Sequence, residues 1–294
     1  MFWQLAANGL VTGSVIAISA VGVSLVYGIL RLVNFAHGDF MAFGALAAYA
    51  FNGPLGLGMI PSTLLGMLAT AVLSLALDVT LWRPLRARRA GFMSLFLASI
   101  GLALVLRQVL LLAYGPQPQT YAVNQFKVYV IGSVRLSQPQ VITIAGASIA
   151  IVSIGLFLAR TSVGRTMRAL ADDRALAAIS GIDVGRVITY TWILSGLLAG
   201  LAGVFAGLVQ SSFDPNFGFQ LLLPVFAAVV LGGIGSAYGA LAGGLALGLA
   251  MELSTWTSLF GGVNPVYKPV VAFGILVAAL MVRPQGLFGR ARVV

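Results

Sequence analysis

The stretch NGLVTGSVIAISAVGVSLVYGIL, residues 8–30, holds no charged side chain. Its apolar residues run on without two-residue alternation, so it reads as a helix and not as a barrel strand. About 20 such residues cross the hydrocarbon layer of a bilayer, and a helix satisfies every backbone group there without water. Working outward, similar runs recur over 34–53, 61–82, 92–113, 141–159, 187–209, 221–236, 239–260 and 269–282. The chain of 294 residues is 60% hydrophobic and only 8% charged, against roughly 25% charged in an average soluble domain. So few polar groups cannot coat a water-facing surface, and disordered chains are apolar-poor. The fold class is therefore all-α, a polytopic transmembrane helical bundle of about eight crossings. Segments 221–236 and 269–282 are short and 34–53 opens with polar residues, which fits broken or re-entrant helices covered by protein or a wet cavity.

Charge placement orients the bundle. Seventeen Lys and Arg outnumber seven acidic residues, for a net charge of +10. Arg83, Arg86, Arg88 and Arg89 share one loop, Arg160, Arg165, Arg168, Arg174 and Arg186 another, and Arg283, Arg290 and Arg292 lie near the C-terminus. Cytoplasmic loops collect cations, so all three clusters, and the C-terminus with them, are expected inside. The 114–140 loop carries only Lys127 and Arg135, and 210–220 carries neither Lys nor Arg, so both are expected outside. No cation precedes Arg31, so no cleavable signal peptide is expected. These loops explain the basic balance without nucleic acid.

Other chemistries fall away. Without cysteine there is no disulfide, thiolate metal site or thiol nucleophile. One histidine, His37, cannot build a multi-histidine metal site. Only Lys127 and Lys268 are present and neither follows a glycine, so there is no G-x-x-x-x-G-K-S/T phosphate loop. No H-E-x-x-H or G-x-S-x-G motif occurs.

Ionisable groups at membrane depth are costly and mark function by default. The densest set is Asn34-Phe35-Ala36-His37-Gly38-Asp39. It reads either as a helix break lining a translocation path or as a loop in which Asp39 caps the next helix. Glu252 is a second pathway candidate, with an interhelical hydrogen bond as the alternative. Asp78 and Arg107 sit about a turn from segment ends, where snorkelling explains them. Asp214-Pro215-Asn216 reads as an outward turn, and Trp82, Tyr114 and Tyr267 as an interfacial belt. Gly196, Gly200, Gly203 and Gly207, then Gly235, Gly239 and Gly243, make small-residue strips for close helix packing, either static or sliding. Within 161–186, Arg165, Arg168 and Asp172 share one helical face and Gly181 suits a helix stop. That loop helix either docks a partner or is merely solvated.

Four stretches resemble the permease subunits of branched-chain amino-acid ABC importers, the LivH type. They are Tyr27-Gly28-Ile29 leading into Asn34–Asp39; Gly164-Arg165 through Asp172 to Gly181-Ile182; Val230-Leu231-Gly232-Gly233-Ile234-Gly235-Ser236 with Gly239-Ala240; and Arg283-Pro284-Gln285-Gly286-Leu287-Phe288-Gly289. The resemblance implies one transmembrane permease domain over 1–294 in a bacterial inner membrane. It also implies a non-enzymatic role, with a second homologous permease, two cytoplasmic ATPases carrying the ATP and Mg, and a periplasmic binding protein as partners. No cofactor is expected in this chain. The 165–182 stretch then looks like the coupling loop, with Arg165, Arg168, Asp172, Asp173 and Gly181 facing the ATPase. Asn34, His37, Asp39 and Glu252 become pathway or gate candidates. Substrate choice is expected to lie mainly in the binding protein, because this chain offers few charges to a zwitterion. Relatives of this kind carry amino acids, urea or small amides. A stand-alone secondary transporter or channel and an intramembrane enzyme are the readings from other classes.

Overall fold

Apolar side chains leave a lipid-embedded backbone no partner but itself, and in the computed structural model almost every element is helical. It describes residues 1–123, 127–257, 262–283 and 286–288. Helices α1 (Phe2–Leu30), α2 (His37–Asn52) and α3 (Met59–Leu77) open the chain. A π-helical stretch, Asp78–Trp82, carries α3 without a break into α4 (Arg83–Ala87). Then come α5 (Phe92–Tyr114), the strands β1 (Val128–Ile131) and β2 (Val134–Ser137), α6 (Gln138–Arg160), α7 (Ser162–Asp172) and α8 (Arg174–Ile179). The rest is α9 (Val184–Gln210), α10 (Phe217–Gly232), α11 (Ala237–Leu253) and α12 (Lys268–Val282). Among the described residues six helices are long and apolar enough to cross a membrane, and α10 and α11 are shorter apolar helices. The expected all-α bundle stands.

Some expectations are corrected. The loop over 114–140 contains an antiparallel hairpin pairing Val128 with Ser137 through Ile131 with Val134. The run 61–82 is part of one helix reaching Ala87, because Arg83 and Arg86 continue it past the apolar stretch. The run 239–260 stops as a helix at Leu253, and its residues 258–260 lie outside the described residues. So do Pro284, Gln285 and Gly289 to Val294, with Arg290 and Arg292 among them. Trp82 is no interfacial anchor. It is fully buried and stacks on Trp192, centroids 5.8 Å apart, because the π turn directs it inward against α9.

The loops sort to two ends. At one, Gln119 and Phe213 exchange backbone hydrogen bonds of 2.8 and 3.0 Å. There Asn52 Oδ1 accepts from the Ala122 amide, and Gln4 Nε2 donates to the Arg135 carbonyl. At the other, a cleft of about 640 Å³ is lined by Arg83, Arg86, Arg174, Asp183 and Arg186, and a smaller cavity sets Leu30 and Leu32 beside Arg86 and Arg174. The 83–89 and 160–186 cation clusters therefore share one end, and α1 runs from the hairpin end to the cationic end.

Glycines set the spacing inside. Along α1 and α11, a Cβ on Gly13 would stand 3.1 Å from Leu245 Cα, and one on Gly244 or Gly248 would overlap the backbone of Ala17 or Gly13. On α9, a Cβ on Gly196 would sit 2.7 Å from Ala71 Cα, on Gly200 2.8 Å from Thr70 Oγ1, and on Gly207 2.9 Å from the Phe213 ring. One on Gly203 would run into the Met41 carbonyl. Gly239 and Gly243 bring α11 against Gly232 and Ala228 of α10, while Gly235 turns between them at φ 88°. Backbones this close gain dispersion contacts that larger side chains would prevent.

Gly203→Ala should therefore destabilise the chain by about 1–3 kcal/mol through overpacking. Gly101→Ala, with nothing within 4 Å of the added carbon, should leave thermal unfolding in detergent unchanged or raise it. Equal midpoints for the two variants would refute this account of the packing.

Candidate functional site

The 34–39 segment is a helix break inside the bundle. Arg31 ends α1 in the left-handed conformation at φ 53°, with its amide bonded to the Tyr27 carbonyl. Asn34 is buried and its Oδ1 accepts from the Ala36 amide at 3.1 Å, a turn that launches α2 at His37. The His37 ring lies 3.0 Å from where a Gly22 Cβ would be. Gly22 precedes Leu30 by eight residues, about 12 Å of helix. The start of α2 thus lies well inside the cationic end.

A second helix starts at the same depth. After α9 the Asp214 carboxylate accepts from the Asn216 amide at 2.8 Å, and α10 begins at Phe217. Gly38 and Gly218 face each other so closely that a Cβ on either would overlap the other's carbonyl oxygen. Two helix N-termini therefore meet in the interior, and each brings amide N–H groups without intrahelical acceptors and partial positive charge.

Asp39, in the first turn of α2 and fully buried, supplies negative charge there. It holds Arg107 of α5, with Nε 3.1 Å from Oδ1 and Nη2 3.5 Å from Oδ2. The Arg107 guanidinium lies 4.3 Å from the ring centroid of Phe219, in the first turn of α10. One cation thus joins three helices at the break, through a charge pair and a cation–π contact. Arg107 is no snorkelling anchor. It lies seven residues inside α5, and its carboxylate is 68 residues earlier in the chain, so no local spacing reveals it. Asp78 is likewise a buried partner, held by Arg86 at 2.6 Å.

Asn34, His37 and Asp39 are brought together; Glu252 stands apart. Its Oε1 accepts from Lys268 Nζ at 2.6 Å and Thr12 Oγ1 at 3.2 Å, tying α11 to α12 and α1. Thr12 and Gly22 are ten residues apart on α1, about 15 Å. Among the described residues neither ring nitrogen of His37 meets a partner at hydrogen-bonding geometry. Tyr121, outside the spans, donates to the Ala45 carbonyl at 2.9 Å, and burial holds its phenol well above the ordinary range, so it stays a neutral donor.

The 161–186 loop is built as two short helices. Thr161 caps α7 by accepting from the Gly164 amide at 3.0 Å, and Asp173 caps α8 by accepting from Ala175 and Leu176 at 2.8 and 3.0 Å. Gly164 lets α7 fold back onto the Leu158 carbonyl, and Gly181 turns at φ 84° toward α9. Helix α7 buries Met167 and Leu170 and exposes Arg165, Arg168 and Asp172. The apolar projection belongs to α8, where Leu176 is 59% and Ile179 82% exposed. The sequence pattern placed the charges on one face and gave no sign of this projection.

Residues 5–280 match a family described as branched-chain amino acid transport system / permease component. The chain is 30% identical over 305 residues to the high-affinity branched-chain amino acid transport system permease protein BraD of Pseudomonas aeruginosa, covering 99% of this chain and 97% of that one. It is equally similar, with the same coverage, to the permease protein LivH of Escherichia coli K12. Among solved structures, PsaBC from Streptococcus pneumoniae in complex with Fab aligns over 96% of this chain and 92% of that one, with a TM-score of 0.51 and 18% identity, a likeness of fold.

Breaking one side of the Asp39–Arg107 pair should cost more than removing both. Asp39→Asn or Arg107→Gln alone leaves a charge in the interior, a loss of about 3–5 kcal/mol. The double variant should recover part of that loss in a thermal-unfolding cycle. Additive losses would mean the two groups are not coupled.

Proposed function

The chain belongs to the branched-chain amino acid transport permease family, and from that premise we propose that it forms half of a translocation path completed by a second homologous permease. It is a multi-pass membrane protein and a permease component, not an enzyme. In this proposal two cytoplasmic ATPases bind ATP and Mg and a periplasmic binding protein delivers branched-chain or related amino acids. The membrane is the bacterial inner membrane. The shared end of the 83–89 and 160–186 cations faces the cytoplasm in this reading, because that is where loop cations collect, and Arg283 and the C-terminal cations favour the same side for the C-terminus.

The observation that carries this reading is the division of labour in the 161–186 loop. Helix α7 is anchored on the bundle by Met167 and Leu170, while α8 offers two exposed apolar side chains between arginines at the cationic end. Exposed apolar anchors rimmed by charge are what a docking partner needs. ATP-driven closure of the ATPases would push α8, and the caps at Asp173 and Asp183 would pass that motion to α7 and α9. Small shear of glycine-packed helices would then open or close the path. Arg165, Arg168, Asp172 and Asp173 would frame the contact rather than fill it.

A stand-alone transporter is the second reading, favoured by the meeting of two broken helices in the interior. The two are separated by uptake into liposomes. Leucine uptake by the purified chain alone would support the stand-alone reading, whereas uptake only with ATPases, binding protein and ATP supports the importer. In the full assembly, Leu176→Ser with Ile179→Ser should cut leucine import by about tenfold or more and release the ATPase during purification, because both anchors are lost. Import at the wild-type rate would remove α8 as the coupling contact.

A further inference from the structure

Arg107 is only partly used by Asp39. The pair engages Nε and Nη2, leaving the Nη1 edge of the guanidinium outside it, and the side chain keeps 14% exposure. The surface around it has a mixed character. On α5, Leu104 lies one turn from Arg107 and is 54% exposed. On α10, Phe219, against which Arg107 packs, and Leu223 one turn on are exposed on one face. Gln108 and Gln220, each following a member of that contact, are exposed as well. Amide side chains facing lipid at this depth would lose their hydrogen bonds with nothing in return. This face therefore meets water or another protein chain.

From this geometry we infer that Arg107 is the point in the path that takes the carboxylate of the passing amino acid, while Leu104, Phe219 and Leu223 receive its apolar side chain. A guanidinium matches a carboxylate with paired hydrogen bonds. The cargo is a zwitterion with an apolar side chain, and the patch presents one cation next to three apolar residues. Asp39, itself fully buried, serves as the counter-ion that holds Arg107 in place, and the cargo brings its own ammonium group along with its carboxylate. No net charge is then moved into the interior. This inference rests on the importer reading, and it leaves the main choice of substrate with the binding protein.

The chain has no cysteine, so single cysteines report directly on this face. Gln108→Cys and Gln220→Cys, in the full assembly in liposomes with labelling read by mass on this chain, should react with water-soluble methanethiosulfonates. The anionic reagent should react faster than the cationic one. Turnover with ATP, binding protein and leucine should slow the labelling, and adding Arg107→Gln should abolish the preference for the anionic reagent. Arg107→Gln should lower leucine import about tenfold or more, as expected for loss of a paired charge-assisted contact. Arg107→Lys keeps the charge but not the planar fork, so it should keep the reagent preference with intermediate import, and it serves if the Gln variant does not assemble. Cysteines that no aqueous reagent reaches, a preference indifferent to residue 107, or wild-type import by the Gln variant would each overturn the assignment. A wild-type assembly that imports no leucine would instead sink the importer reading itself, so the two failures are distinguishable.

Discussion

Two helices that begin inside a membrane protein bring their open amide ends to a place without bulk solvent, and the rest of this structure answers that problem. At the meeting of α2 and α10 only glycine fits, since Gly38 and Gly218 each occupy the other's side-chain space. The positive ends are met by Asp39, and the charge of Asp39 is in turn met by Arg107. Arg107 leans on Phe219, so the compensation reaches the second helix too. Remove any one of these and the others become unpaired polar groups in a medium that punishes them.

The surrounding helices divide into a tight interior and a looser rim. α1 and α9 are mostly enclosed by the chain itself, while α5, α6 and α12 expose most of their length. The enclosed helices hold the glycine strips, so their backbones touch directly and are hard to deform. Rim helices bury only a few positions each, such as Ser99 and Ala103 on α5 and Thr143 and Ala147 on α6. Arg107 sits on a rim helix but is bound to the interior by Asp39, which places the charge pair at the boundary between the two regions.

Much of this was legible in the sequence and some of it could not be. Long uncharged runs such as 8–30 announce helices because lipid permits little else, and the arginine clusters announce one shared end. The 34–39 cluster stands out because polar residues are rare in such a chain. The pairing of Asp39 with Arg107 was invisible, since 68 residues separate them and either alone reads as a cap or an anchor. The hairpin at 128–137 escaped because its four-residue strands are too short to show alternation against a loop. Trp82 misled for a related reason. A tryptophan near the end of an apolar run usually marks the interface, but a π turn rotates this one against Trp192.

The glycine seam between α1 and α11 also has a bearing on how the chain is made. The first helix leaves the ribosome more than two hundred residues ahead of the helix that covers it. In the finished chain Gly9 and Gly13 meet the backbone of α11 at Leu249 and Leu245, a contact that cannot form until α11 has been made. Synthesis therefore runs through a long interval in which the opening helix lacks its mate. A chain cut short before Gly244 would lack this seam, since Gly244 and Gly248 are the residues that let α11 reach Ala17 and Gly13.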